Sequence, residues 1–162
     1  MHANTPSKSI RLFLGADHGG FSAKEQLKEW LDTQSLSYTD VGAHSFNPED
    51  DYPQIAFLVG EAVSDSIDQE EKSLGILFCR SGGGMSIAAN KVRGIRAVPV
   101  ASTKEAIHAR EHNDAQIISV SADWLTNQEI QDIIEAFVGA SASNDTRHVR
   151  RRAQIERYEE SN

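Results

Sequence analysis

The sequence predicts an α/β fold, a doubly wound domain on a five-stranded parallel sheet. Three observations point there. Short apolar runs alternate with segments of helical periodicity. The run Leu74–Cys79 is continuously apolar, as a strand buried on both faces must be. The 162 residues suffice for one core and leave little room for a second.

The elements follow in order. Ile10–Leu14 is the first strand, and after Gly15-Ala16-Asp17-His18-Gly19-Gly20 comes a helix with Ala23, Leu27, Trp30 and Leu31 on one stripe and Ser22 with Glu25 as a capping box. Leu36–Val41 reads as the second strand, followed by a polar loop through Asp51. Pro53 suits a helix's first turn, and Ile55, Leu58, Val59, Ala62 and Val63 line one face of that helix. Leu74–Cys79 is the third strand, and a helix over Met85–Lys91 follows a Ser-Gly-Gly-Gly turn. Ile95–Val100 is the fourth strand, Ser102 with Glu105 caps a helix through Glu111, and Gln116–Val120 is the fifth. Thr126 with Glu129 caps another helix bearing Ile130, Ile133, Ile134, Phe137 and Val138. Gly139–Asn144 is small and polar, a break before a final arginine-rich helix. The organisation expected is a loose tail over 1–9, an α/β domain over 10–140, and an Arg-rich helical extension of that domain over 141–162.

Composition excludes several classes. Hydrophobic residues make up 39% of the chain and no apolar run approaches a membrane span of about 18 residues. The opening Met1-His2-Ala3-Asn4-Thr5 lacks a signal peptide's apolar core, so a cytoplasmic, membrane-free protein is expected. Cys79 is the single cysteine, which excludes an intramolecular disulfide and a Cys-rich zinc site. Net charge is −8, yet residues 147–162 carry five Arg against three Glu. An acidic body argues against general nucleic-acid binding, whereas a compact arginine cluster can serve one small phosphate.

Ligands of a doubly wound sheet bind beyond the carboxyl ends of its strands. That rule nominates Ala16–Gly20, Asp50-Asp51-Tyr52, Cys79–Gly84 and the start of the helix that precedes His112. Cys79-Arg80-Ser81-Gly82-Gly83-Gly84 leads from a strand into a helix, so its N–H groups can converge on an anion or a developing oxyanion; the alternative is a structural glycine turn. Neither a P-loop nor a dinucleotide fingerprint fits it, since no Gly-Lys-Ser/Thr follows and position 87 is Ile. Cys79 at a helix start is either a thiolate base or nucleophile or a small buried strand residue. Asp17 and His18 form an acid/base or hydroxyl-binding pair, or else a turn-capping Asp beside a surface His. His108 and His112 stand one helical turn apart but have no evident third ligand, so no metal is assigned. Arg147 and Arg151, like His148 and Arg152, are spaced i, i+4 and can grip one phosphate together; the alternative is a solvated tail.

Taken together, Gly15–Phe21, Asp51-Tyr52-Pro53, Cys79–Ala97, His112–Ala115 and the late Arg147, His148 and Arg151 resemble the type B ribose-5-phosphate isomerases and the related galactose-6-phosphate isomerase subunits, over about residues 10–155. The resemblance implies a Rossmann-like three-layer α/β/α domain, no metal or organic cofactor, and a homodimer or dimer of dimers with active sites between subunits. It implies aldose–ketose isomerisation of a sugar phosphate, ribose 5-phosphate to ribulose 5-phosphate first. Carried onto this chain, Cys79 is the base, Ser81 with the amides of Gly82, Gly83 and Gly84 holds the enediolate oxygen, and His112 assists ring opening. Asn113 binds substrate oxygens, Asp17 and Tyr52 bind hydroxyls, Asp51 is a further substrate-binding residue, and His18, Arg147, His148 and Arg151 surround the phosphate. Some relatives carry a Glu base where Met85 stands here.

Two positions depart from the family pattern. Arg80 replaces the usual Gly after the cysteine, and Asp123 replaces a phosphate-binding Arg eleven residues after His112. Either one cation has been relocated, so that Arg80 meets substrate, or Arg80 and Asp123 pair and reshape the pocket for another sugar. The alternatives in function are a hexose 6-phosphate (allose or galactose) isomerase, a non-catalytic sugar-phosphate-binding regulator, and RNA binding through Arg150-Arg151-Arg152.

Overall fold

The computed structural model describes residues 9–67 and 72–162; the expected loose tail lies, but for Ser9, outside the described residues. Eleven elements alternate along these residues: β1 Ile10–Ala16, α1 Phe21–Gln34, β2 Ser37–Gly42, α2 Tyr52–Ser64, β3 Lys72–Cys79, α3 Gly83–Ala89, β4 Ala97–Pro99, α4 Thr103–Asn113, β5 Ile117–Ser121, α5 Asn127–Gly139 and α6 Thr146–Glu160. All strand pairs are parallel, in the order β2-β1-β3-β5-β4. This is the α/β architecture the apolar runs predicted.

Each face of the sheet buries its own core. On one side Leu12, Leu14, Ile76, Phe78, Ile118 and Val120 meet Leu27 and Leu31 of α1, Ala106 of α4 and Ile130, Ile134 and Phe137 of α5. On the other, Leu77 and Ile117 meet Ile55 and Val59 of α2 and Met85 and Ala89 of α3. β3 is central and buried from Leu74 onward, which is why its sequence shows no alternation.

Local differences from the sequence reading have local causes. α1 starts on Phe21 with Gly20 as its N-cap residue, so Ser22 and Glu25 form no capping box. Asp17 takes over part of that role, accepting from the Gly20 N–H at 3.1 Å. The inner face of α2 is Ile55, Ala56, Val59, Gly60 and Val63; Leu58 is rotated outward and half exposed. α3 begins two residues earlier than its apolar pattern, because Gly82 sits at φ 84°, where a glycine opens the helix without strain. The Thr126–Glu129 capping box forms, and Ser102 accepts from the Glu105 N–H at the head of α4.

Among the described residues one charged side chain is buried completely. Lys24, on α1, is fully covered and donates from Nζ to Asp40 Oδ1 and, at 2.6 Å, to the Ala43 carbonyl. Lys28 donates to the other Asp40 oxygen at 2.8 Å. Burial alone raises a carboxyl pKa, but the two lysines hold that of Asp40 below its usual value. The clasp fixes α1 to the end of β2 and to the root of the loop over residues 43–51.

Gly20 carries a sharp packing constraint. A Cβ there would meet the Phe78 backbone at 2.5 Å, and backbone at a sheet centre does not give way. Gly20→Ala is expected to cost about 3 kcal/mol of stability, as overpacking does, measured as a lowered urea midpoint with an unchanged slope.

Candidate active site

The chain reverses direction across the sheet between β1 and β3, and the crevice of such a fold opens at that switch point. The loops leaving β1 and β3 meet there. The Asp17 N–H donates to the Phe78 carbonyl at 3.3 Å, and a Cβ on Gly19 would touch Arg80 Cγ at 2.7 Å. The loop after β2 joins them: Ala43 N–H donates to the Ala16 carbonyl at 2.9 Å, and Asp50 accepts from His18. Tyr52 at the head of α2 lies against Gly84, where an added Cβ would fall 2.6 Å from its ring.

Cys79 ends β3 and is almost entirely buried. Its Sγ accepts from the Gly82 N–H at 3.1 Å, which turns the sulfur toward the glycine turn. That turn is braced from below, since Ser119 Oγ donates to the Gly82 carbonyl at 2.6 Å and Ser121 Oγ to the Arg80 carbonyl. Gly83 and Gly84 are the first residues of α3, so their N–H groups precede the helix's own acceptors and stay available to an oxyanion. Ser81 is exposed beside them.

Asp17 is buried, and that burial pushes its carboxyl up against the opposing pull of the Gly20 N–H. His18 is pushed the other way on the charge scale, toward the imidazolium, by its hydrogen bond to Asp50. Arg80 is largely exposed at the mouth and lies 3.6 Å from Asp123; the Asp123 N–H also donates to the Arg80 carbonyl. The two departures from the family pattern are therefore neighbours in space.

The remaining predicted residues collect elsewhere. β5 rises from Ile117 beside Gly75 to Ser121 beside Cys79, a span of about 13 Å at the usual rise. α4 precedes Ile117, so His112 and Asn113 at its end lie beside the opposite edge of the sheet. Arg96, which leads into β4, donates to the Asn113 carbonyl there at 2.8 Å. The start of α6 is tied to the same place: the rings of His112 and His148 are 4.2 Å apart, and Arg152 donates to carbonyls of His112 and Ser143. His108 stacks on His112 at 3.9 Å. Burial and the neighbouring His112 lower the pKa of His148. Arg147 and Arg151 are exposed on this helix.

The residues nominated for the site thus fall in two clusters within one chain. Asp17, His18, Asp51, Tyr52, Cys79, Arg80, Ser81, Gly82, Gly83 and Gly84 gather at the carboxyl edge, while His112, Asn113, Arg147, His148 and Arg151 gather at the opposite edge. Two polar residues escaped the sequence reading as individuals. Asp50 lies in the nominated Asp50-Asp51-Tyr52 stretch, but no local pattern gave it a role of its own. Lys24 sat among the apolar positions of α1, and its place on the inner face was the available signal.

A model of the family described as Ribose/Galactose Isomerase matches residues 12–155. The chain is 39% identical over 151 residues to the probable ribose-5-phosphate isomerase B of Mycoplasma genitalium, covering 93% of this chain and 97% of that one. It is 39% identical over 150 residues to the ribose-5-phosphate isomerase B of Mycobacterium tuberculosis, covering 93% and 90%. The crystal structure of the Mycoplasma genitalium enzyme with bound ribulose-5-phosphate superposes with a TM-score of 0.88 at 38% identity, over 96% of this chain and all of that one. That of the Clostridium thermocellum enzyme gives 0.85 at 33% identity, over 94% and 99%. With a cysteine over a glycine turn at the switch point and likeness along nearly its whole length, the chain belongs to the ribose/galactose isomerase family and is an aldose–ketose isomerase.

Proposed function

We propose that the protein interconverts ribose 5-phosphate and ribulose 5-phosphate without a cofactor, in active sites shared between two copies of the chain. The observation that carries this reading is the separation of the two clusters: a phosphosugar in contact with Cys79 needs the His112 and Arg147 cluster of a second copy, in a homodimer or a dimer of such dimers. The likeness to a structure holding ribulose-5-phosphate supports the choice of sugar.

In the proposed reaction, His112 of the second copy assists opening of the furanose ring and Asn113 holds substrate oxygens. The Cys79 thiolate then takes the proton from C2. The C–H electron pair becomes the C1–C2 double bond, and the carbonyl pair moves onto O1, giving the cis-enediolate. Ser81 and the amides of Gly83 and Gly84 stabilise that oxygen, donors fixed in place before the charge develops, while the Gly82 N–H stays on the Cys79 sulfur. Return of the proton to C1 and passage of the C2 hydroxyl proton to O1 complete the ketose, so no electrons leave the substrate. Asp17, Asp51 and Tyr52 hold hydroxyls. His18, with Arg147, His148 and Arg151 of the second copy, binds the phosphate, whose attachment energy orients the reacting carbons. Among the described residues no helix is long and apolar enough to cross a membrane.

The test is a panel of aldose and ketose 5- and 6-phosphates in heavy water, followed by proton NMR, with Cys79→Ala as control. Deuterium entry at C1 or C2 with ribose 5-phosphate, absent in the control, is the expected result. Measurable binding with no exchange for any sugar would leave a sensing pocket instead.

The Arg80–Asp123 contact favours a second reading of specificity. An ion pair at the mouth can narrow the pocket or present Arg80 to substrate, and a hexose 6-phosphate ranking first in the panel would select that alternative. Arg80→Gly is expected to raise KM for the preferred sugar phosphate by about tenfold, the scale of one charge-assisted hydrogen bond. Unchanged turnover and affinity would remove Arg80 from substrate binding.

A further inference from the structure

We infer that Asp50 is a positioning residue for phosphate binding: it locks the His18 ring with Nδ1 turned inward and Nε2–H presented to the substrate. The inference rests on the proposed role of His18 and adds a residue that neither the motifs nor the family likeness had assigned.

Three observations carry it. A single oxygen of Asp50, Oδ1, accepts twice from the same residue, from the His18 backbone N–H at 2.9 Å and from Nδ1 at 2.7 Å. The double bond fixes backbone and ring together, so rotation of the ring costs the bond that also sets the loop. A carboxylate can only accept, so Nδ1 must carry the proton, and the tautomer question is closed at that nitrogen. Second, Asp50 is mostly covered, and its other oxygen, Oδ2, is buried with no partner among the described residues. A half-satisfied buried carboxylate makes the imidazolium beside it the form that best offsets its charge. Third, His18 keeps about a quarter of its side chain accessible, although Nδ1 is engaged inward. Nε2 is the ring nitrogen left to face a ligand.

The charges facing His18 are those of Asp50, of Asp17 on its own loop, and of Arg80 from the loop after β3. The Asp50 hydrogen bond and the two carboxylates favour the charged ring, and burial and Arg80 oppose it, with a net upward shift. The sign follows directly. Attraction for a phosphate dianion is complete below the raised pKa of His18 and fades as pH climbs through it, and loss of the Asp50 charge moves that fade to lower pH.

The experiment follows the histidine side chains by 15N–1H NMR in the full chain, titrated with pH and with inorganic phosphate or ribose 5-phosphate. In the parent chain, the His18 Nδ1–H should be visible and protected from exchange, with Nε2 shifting when phosphate is added. Asp50→Asn should lower the His18 pKa, weaken phosphate about tenfold near neutral pH, and raise KM more than it lowers kcat. His18→Gln combined with Asp50→Asn should lose no more than His18→Gln alone. An exposed, rapidly exchanging Nδ1–H in the parent chain, a His18 titration indifferent to Asp50→Asn, or additive losses in the double variant would each overturn the assignment. The parent-chain measurement decides the matter even where Asp50→Asn does not fold. An Asp50-dependent His18 titration in a chain that turns over no sugar phosphate keeps the pairing and removes the ribose 5-phosphate reading; turnover with an Asp50-independent His18 does the reverse.

Discussion

Cys79→Ser is expected to lower kcat by about a thousandfold, the scale on which a positioned base contributes, while the far-ultraviolet spectrum and urea midpoint stay close to those of the parent. The two halves of this expectation come from different parts of the structure. Sγ is held by a single backbone donor, the Gly82 N–H, and a hydroxyl can accept from it at a similar place. The fold therefore tolerates the change. A serine hydroxyl gives up its proton far less readily than a thiol, so the carbon acid goes uncleaved. Deuterium exchange at C1 and C2 checks this more directly than product formation, because it reports the proton transfer itself. Near-normal exchange in Cys79→Ser would move the base to another residue; Asp17, buried and with its carboxyl pushed up, is the one to examine next.

The second large effect is a gain. Cys79→Ala and His112→Gln are each expected to be nearly inactive alone, and mixing them under conditions that exchange subunits should restore about a quarter of parental activity in a random dimer population. In a mixed dimer one site carries both lesions and the other carries neither, and half of all dimers are mixed. The distance along β5 between the Cys79 and His112 ends of the sheet makes this outcome specific to shared sites. If both residues served one site within a chain, no mixture would recover anything. Activity in a separated monomer would refute sharing as well.

Much of this architecture is written in local patterns. The continuous apolar run of β3 announced a central strand, and the Thr126–Glu129 pair fixed the start of α5. Chemistry concentrated in glycine-rich turns at strand ends was legible for the same reason, since Cys79 to Gly84 has few uses besides a turn or an anion cradle. The failures share one cause. Ser22–Glu25 carried a sound capping signature, but the close approach of Gly20 to the Phe78 backbone set the start of α1 instead. Leu58 turns outward because α2 meets the sheet through Ile55, Ala56, Val59, Gly60 and Val63, a choice of face that the helix's own sequence does not settle. The Asp50–His18 bond joins residues 32 apart, and the pairing of Arg80 with Asp123 joins the loops that leave the adjacent strands β3 and β5. Such contacts appear only once the topology has been assembled. The family likeness supplied roles for His112 and Arg147, and the structure supplied their remoteness from Cys79.

The buried ammonium of Lys24 bears on how substrate reaches this pocket. Opening a protein segment is easy where few groups must be rehydrated and hard where a charge would be stripped of its partners. Residues 44–49 are exposed, but the segment is anchored at one end by Ala43, through Lys24 and the Ala16 carbonyl, and at the other by Asp50 on His18. Swinging it away at the root would strip the buried Lys24 ammonium of the Ala43 carbonyl and take the Asp50 carboxylate off His18. The segment is a wall pinned at both ends and exposed along residues 44–49.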